Sequence, residues 1–274
     1  MTVATSCAAR RPLSRAVWWT DDEVSAGVEV RLARTFADFD AAFRLVHDQY
    51  VRRGFVAAEP SGRRVGAHAL LPSTKVLIAT ADGRAAGTMT VIEDSRLGLP
   101  MDMAFTRELD RLRARERRLA ETSALALAPP CRRQSAAILI RLFRLAALYL
   151  TTVARADDMC FIVHPRHQGF YRSLFPFEQF PERHAYAPIK GVPPSTGFRA
   201  DLRLVRAIVR AERLGLSPGP LYRFMFGPAA LRDVTRQVRR DLAASTLTPH
   251  EWAWLFAPPD GPTPARSADA IEAP

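Results

Sequence analysis

Residues 119–154 read LAETSALALAPPCRRQSAAILIRLFRLAALYLTTVA, and this stretch decides the fold. Its first nine residues form a buried strand, 119–127. A break follows at Ala128-Pro129-Pro130-Cys131, then a long amphipathic helix from about 132 to 155. A strand has a side-chain period of two, so Glu121, Ser123, Leu125 and Leu127 are expected on one face. Along the helix, Ile138, Leu142, Leu145 and Tyr149 form an apolar stripe suited to packing on a sheet. The turn Arg132-Arg133-Gln134-Ser135-Ala136-Ala137 opens that helix. Unpaired N–H groups and the positive dipole end there suit an anion. The most apolar part, 136–154, is interrupted by Arg141 and Arg144. It reads as too short and too charged to cross a membrane.

Outward from this unit the chain alternates strands and helices. VEVRLART (28–35) is a first strand, and 38–55 is a helix with Phe39, Phe43, Val46 and Tyr50 at helical spacing and Gly54 as a stop. KVLIAT (75–80) and AAGTMTVIED (85–94) flank Asp82-Gly83, the residue pair that a tight hairpin turn prefers. After a loop at 95–105, a charged helix (106–118) leads to the strand at 119. Beyond the long helix come a strand at 159–164, a short helix at 169–174, and closing strands at 177–180 and 198–205 joined by a proline-rich connection. The fold class is therefore α/β (α+β), a mixed central sheet flanked by helices. Four segments are expected: a variable arm (1–26), the main domain (27–205), a helical C-terminal appendage (206–257) and a proline-rich disordered tail (258–274).

The chain has 274 residues, 48% of them hydrophobic, enough for a full core, and a net charge of +11. Lys75 and Lys190 are its only lysines, so arginine carries the charge. Such a surface suits an acidic protein, an anionic membrane or nucleic acid. No zinc-finger spacing or RNA-binding motif singles out nucleic acid, so no specific nucleic-acid partner is expected; a peripheral membrane contact stays open. Cys7, Cys131 and Cys160 lack metal or disulfide spacing, and no signal peptide is evident, which favours the cytoplasm.

The strand–turn–helix resembles the core of the Gcn5-related acyltransferase fold. There the turn Gln/Arg-x-x-Gly-x-Gly/Ala cradles the phosphates of a pantetheine cofactor; Arg132-x-x-Ser135-x-Ala137 fits, with Ser in place of Gly. Five further segments, FRLVHDQYVRRGF (43–55), HALLPST (68–74), VIEDSRLGLPMDMAF (91–105), ELDRLRARERRLAETSALAL (108–127) and VHPRHQGFYRSLFPFE (163–178), together resemble the FeeM-type N-acyl amino acid synthases, relatives of the acyl-homoserine-lactone synthases. The likeness spans about 30–205. It implies transfer of a long acyl chain from a phosphopantetheine thioester to an amine. The donor would be an acidic acyl carrier protein, or else acyl-coenzyme A, and the acceptor an amino acid or similar small amine. Two departures stand out. The family strand reads Glu-x-Ser-Arg, whereas Ala124 follows Ser123 here. Leu174-Phe175-Pro176-Phe177 replaces the usual Leu-Gly-Phe.

Amide formation from a thioester needs a base for the amine, donors for the oxyanion and a proton for the leaving thiolate. Glu121, a carboxylate in an apolar strand, is the candidate base, with pairing to an arginine of the 111–118 helix as the structural alternative. His164 is a second candidate base and Tyr171 the candidate acid. Backbone N–H groups of Leu125, Ala126 and Leu127 would meet the oxyanion and pantetheine. Arg132, Arg133, Gln134, Ser135, Ala136 and Ala137 would hold phosphate. Ser123, Asp94, Asp102, Arg44 and Arg53 are candidates for the acceptor and acyl chain. His164 and His167 have no third ligand, so no metal is expected. The rival readings are a degenerate acyltransferase that binds an acyl carrier or lipid, and an acyl-homoserine-lactone-type synthase, which the missing Arg disfavours.

Overall fold

The computed structural model describes residues 27–129, 132–174, 177–191, 193–213, 224–244 and 247–257. The expected arm (1–26) and tail (258–274) lie outside them. Seven strands form one sheet: β1 (Val28–Leu32), β2 (Lys75–Ala81), β3 (Arg84–Glu93), β4 (Leu119–Leu127), β5 (Asp158–Val163), β6 (Glu178–His184) and β7 (Ser195–Asp201). Their order is β1-β2-β3-β4-β5-β7-β6. Among the described strands only β4 and β5 run parallel.

The period of two sorts the sheet into two faces. Leu77, Ala79, Met89, Val91, Ala120, Met159 and Phe161 pack against α3 (Arg132–Tyr149). On the other face, Val76 meets Phe39 and Phe43 of α1 (Phe36–Arg52), while Ile92, Leu119 and Cys160 meet α2 (Asp102–Arg113). Thr35 and Asp38 close α1 with a capping box, and Arg31 grips Asp38 at 2.6 and 2.7 Å. The β2–β3 turn has Asp82 at φ 51° and Gly83 at φ 73°, two successive left-handed residues, the turn that Asp-Gly favours. Gly87 is required for close approach, since a Cβ there would lie 2.6 Å from Cγ2 of Ile138 on α3.

Several boundaries differ from the sequence reading. The first strand stops at Leu32 because Thr35 caps α1. α2 begins at Asp102 rather than 106 and ends at Arg113. α3 gives way to a π-helical turn, Leu150–Ala154, where the Thr151 and Thr152 hydroxyls donate to carbonyls four residues back. β7 ends at Asp201, and residues 202–205 open α5 (Leu202–Arg213), which runs through the expected boundary at 205/206. The stretch Ser135–Ala154 is in fact long and apolar enough to cross a membrane. It is a core helix because 72% of that window is buried inside the protein.

After α4 (Gln168–Leu174) and α5, two C-terminal helices pack on the domain rather than hang from it: α6 (Pro228–Ala244) and α7 (Pro249–Phe256). Val234 and Val238 of α6 join the α3-side core. Two α6 side chains bond the outer edge of β1: the Asp241 carboxylate accepts the Leu32 N–H at 3.1 Å, and the Gln237 amide donates to the Val30 carbonyl at 2.6 Å. α7 sets Trp254 edge-on to Phe36 at 4.8 Å. The buried Arg63 guanidinium lies 4.2 Å over the Trp254 ring and donates to the Ala257 carbonyl.

Candidate active site

β4 and β5 pair only at Leu119–Asp158, Ala120–Met159 and Glu121–Cys160. Past Glu121 the strands separate, although β4 continues to Leu127 against β3 and β5 continues to Val163 against β7. The cause lies in β4. Ser123 pairs with Thr90 and Ala126 with Thr88, so Ala124 and Leu125 together oppose one residue of β3. Ala124 takes φ 48°, a left-handed conformation unusual for a residue with a side chain. This bulge bends the strand and breaks its alternation. The expected single face is thereby split. Glu121 and Ser123 face the α1/α2 side, whereas Leu125 and Leu127 pack with the α3-side core.

A cavity of about 270 Å³ fills the parting. Its wall draws on both sides of the sheet: Tyr50, Arg53 and Phe55 from the end of α1 and the loop after it, Leu139 of α3, Tyr171 of α4, and His164 at the end of β5. Glu121, Ser123, Ala124, Leu125 and Leu127 line it from β4. A second cavity of about 230 Å³ adjoins it and shares Tyr50, Ser123, Ala124, Tyr186 and Ile189. Its other lining is largely apolar, with Phe43, Ala69, Ile92, Pro100, Met103 and Pro188, and includes Arg64 and His68.

Glu121 is 2% exposed. Its Oε2 accepts the Met101 N–H at 2.7 Å. Burial pushes its pKa up to about 8, against the opposing pull of that N–H and the Ser123 hydroxyl. Among the described residues no guanidinium is within ion-pair distance of it. Two arginines of the preceding segment are engaged elsewhere, Arg113 with Asp94 and Asp102 and Arg117 with Asp158 and Asp201. Tyr171 is buried among Phe143, Phe161 and Phe177, and burial raises its pKa, so the phenol keeps its proton at neutral pH. His164 uses Nδ1 to accept the Arg166 N–H at 3.1 Å; burial, then Arg166, lower its pKa, which favours the neutral ring. No group of three metal-type ligands among the described residues includes His164 or His167.

Other expected residues lie apart. Asp94 and Asp102 clamp Arg113 with four hydrogen bonds of 2.7–3.0 Å and line neither cavity. Through Arg113 they close the 95–101 loop. Arg44 is held by Asp40, away from both cavities, whereas Arg53 lines the first. Ala126 is buried and faces away from the opening. The α3 backbone begins at Arg132, just beyond the C-terminal end of β4. The side chains of Arg132, Arg133 and Gln134 lie outside the described residues; Ser135 and Ala136 are half-buried and Ala137 is buried. Tyr50 and Tyr186 were not foreseen, yet each lines both cavities. Tyr50 was visible as the last member of the α1 apolar stripe; nothing in the sequence marks Tyr186.

A mixed sheet that parts at its parallel pair, with a helix opening just beyond the β4 end of the gap and a buried carboxyl beside it, defines an acyltransferase of the Gcn5-related fold. A solved N-acyl amino acid synthase from uncultured soil microbes shares that fold: it is 24% identical, with a TM-score of 0.55 over 64% of this chain and 91% of its own. Looser matches are the acyl-homoserine-lactone synthase LasI (13% identity, TM-score 0.46, 64% and 89% coverage) and BjaI, a coenzyme A-dependent acyl-homoserine-lactone synthase (16%, 0.44, 77% and 100%). No curated protein matches in sequence. The family model described as N-acyl amino acid synthase FeeM matches residues 41–196, more than half of the chain. The chain belongs to that family and is an N-acyltransferase.

Proposed function

We propose that the protein moves a long acyl chain from a phosphopantetheine thioester to the amine of an amino acid, forming an N-acyl amide, with an acyl carrier protein as donor. The observation that carries this reading is the parting of β4 and β5 just past Glu121. It gives a slot reachable from both sides of the sheet, with a carboxyl at its base that has no cationic partner among the described residues. The thioester arm would enter from the α3 side, its phosphate at the α3 N-terminus, where free N–H groups favour an anion. The amine would enter from the α1 side, and the apolar second cavity suits the long chain.

The chemistry then follows from the residues. The Glu121 carboxylate takes a proton from the amine, directly or through a water. The nitrogen attacks the thioester carbon, and N–H groups of β4 past Glu121, which β5 leaves unpaired, hold the oxyanion. The C–S bond breaks and Tyr171 gives the thiolate its proton. Solvent returns that proton to Tyr171 and takes the one on Glu121. A pKa near 8 suits Glu121 to proton transfer close to neutrality. An acidic carrier complements the net charge of +11 and would associate quickly.

Mass spectrometry of lipid extracts from cells expressing wild type or Glu121→Ala tests the reading. New acyl amides with the wild type, lost with the variant, are expected. Soluble wild-type protein that adds no acyl amide overturns it. Turnover of purified protein with acyl-carrier and acyl-coenzyme A donors separates the two thioesters.

A further inference from the structure

The second cavity has a mouth with an unusual surface. Three large apolar side chains around it face solvent: Leu70 is 53% exposed, Leu97 56% and Met103 64%. They come from two segments that are stitched together. The His68 ring lies 3.2 Å from the Gly98 carbonyl, and the Leu99 N–H donates to Asp102 at 2.7 Å. Ala69, Pro100 and Met103 line the cavity itself, so the exposed rim continues inward as an apolar wall toward Ser123. The rim is bordered by cations. Arg96 adjoins Leu97, and Arg107 and Arg111 lie one turn apart on α2 beyond its kink at Phe105; all three are exposed. The nearby acids Asp94, Asp102 and Asp110 all share Arg113, so with Arg96, Arg107 and Arg111 this edge keeps one net positive charge, and the net charge of +11 on the whole chain adds to the attraction.

Solvent-exposed apolar groups ringed by arginine, at the opening of an apolar cavity, match an anionic lipid surface. Apolar groups enter the headgroup boundary while cations meet the acidic headgroups. We propose that the rim of Leu70, Leu97 and Met103, with Arg96, Arg107 and Arg111, seats the protein on an anionic bilayer, so that the acyl chain passes between the second cavity and the membrane without crossing water. This rests on the acyltransferase reading above, and adds where the lipid product leaves.

The test is cosedimentation of the full chain with phosphatidylcholine vesicles, with and without phosphatidylglycerol. The wild type is expected to bind vesicles that contain phosphatidylglycerol and to release them at high salt. L70S/L97S and R96Q/R107Q should each weaken binding by about tenfold or more. Neither pair lines either of the two site cavities, so turnover of a short, water-soluble acyl thioester should be unchanged in both. Absence of wild-type binding overturns the proposal. Binding that survives both double substitutions also overturns it and places the contact elsewhere, the basic α6 being the first surface to examine. Turnover reports on the acyltransferase reading and sedimentation on the membrane surface, so the two can fail separately.

Discussion

Glu121 on β4 and Asp102 at the end of the 95–101 loop are neighbours through the Met101 N–H, yet their surroundings push them in opposite directions. Glu121 is buried with a backbone N–H and a hydroxyl for company, and its pKa rises to about 8. Asp102 is half-buried against Arg113, and its pKa falls below the ordinary carboxylate value despite some desolvation. Burial alone does not make a carboxyl a candidate base; burial without a cation does. The two regions are also joined. Asp102 follows Met101, whose N–H supports Glu121, so the arginine clamp fixes the loop that holds the proton-transfer group in place.

The comparison breaks most sharply at Glu121 itself. Glu121→Gln should lower kcat/KM by about 10²- to 10⁴-fold while leaving circular dichroism unchanged. A variant with wild-type turnover would move the base to His164. The pH profile comes next. In the wild type kcat/KM should rise along a limb with its midpoint near 8, and that limb should vanish in Glu121→Gln. Stability should run the other way. A carboxyl whose folded pKa is raised binds its proton more tightly in the native state, so the wild type should lose stability as pH climbs from the ordinary carboxylate value to about 8. Glu121→Gln should remove that slope in denaturant titrations.

The clamp gives smaller effects of opposite sign. Arg113→Met leaves Asp94 and Asp102 facing each other and should cost about 1.5–3 kcal/mol in urea unfolding at neutral pH. Because the depressed Asp102 favours the folded state only when ionised, that difference should shrink as pH falls through the acidic range. The same substitution should move the activity limb upward, since a loosened Met101 N–H no longer steadies the Glu121 carboxylate. An unmoved limb would show that the two regions are independent. Smallest of all, Asp94→Asn removes one partly exposed partner and should cost about 1 kcal/mol or less.

Much of the scaffold was legible in the chain because local chemistry set it. Asp82-Gly83 fixed a hairpin, and the spacing of Ile138, Leu142 and Leu145 fixed the buried face of α3. Glu121 stood out as an acid in an apolar strand. The features that open the site were not legible. The bulge sits at an alanine, with no glycine to announce its left-handed backbone, so a regular alternation from Glu121 to Leu127 was the natural reading. Where β4 leaves β5 is a property of two strands far apart in sequence. Asp94 and Asp102 looked like ligand groups because their partner, Arg113, lies at the far end of α2, a pairing that only the folded loop and the helix kink bring together. Residues 202–205 alternate like a strand, and became helix because the sheet had already ended at Asp201.

The two α6 side chains on β1 bear on how this protein can be cut. The family match ends at residue 196, which invites a shortened version without the C-terminal helices. Such a version would uncover the Leu32 N–H and the Val30 carbonyl that Asp241 and Gln237 now occupy. A bare outer strand is a template for another chain. The last helices thus act as a guard rail: their removal should leave a protein that pairs strand to strand with its own copies and comes out of solution as it is concentrated.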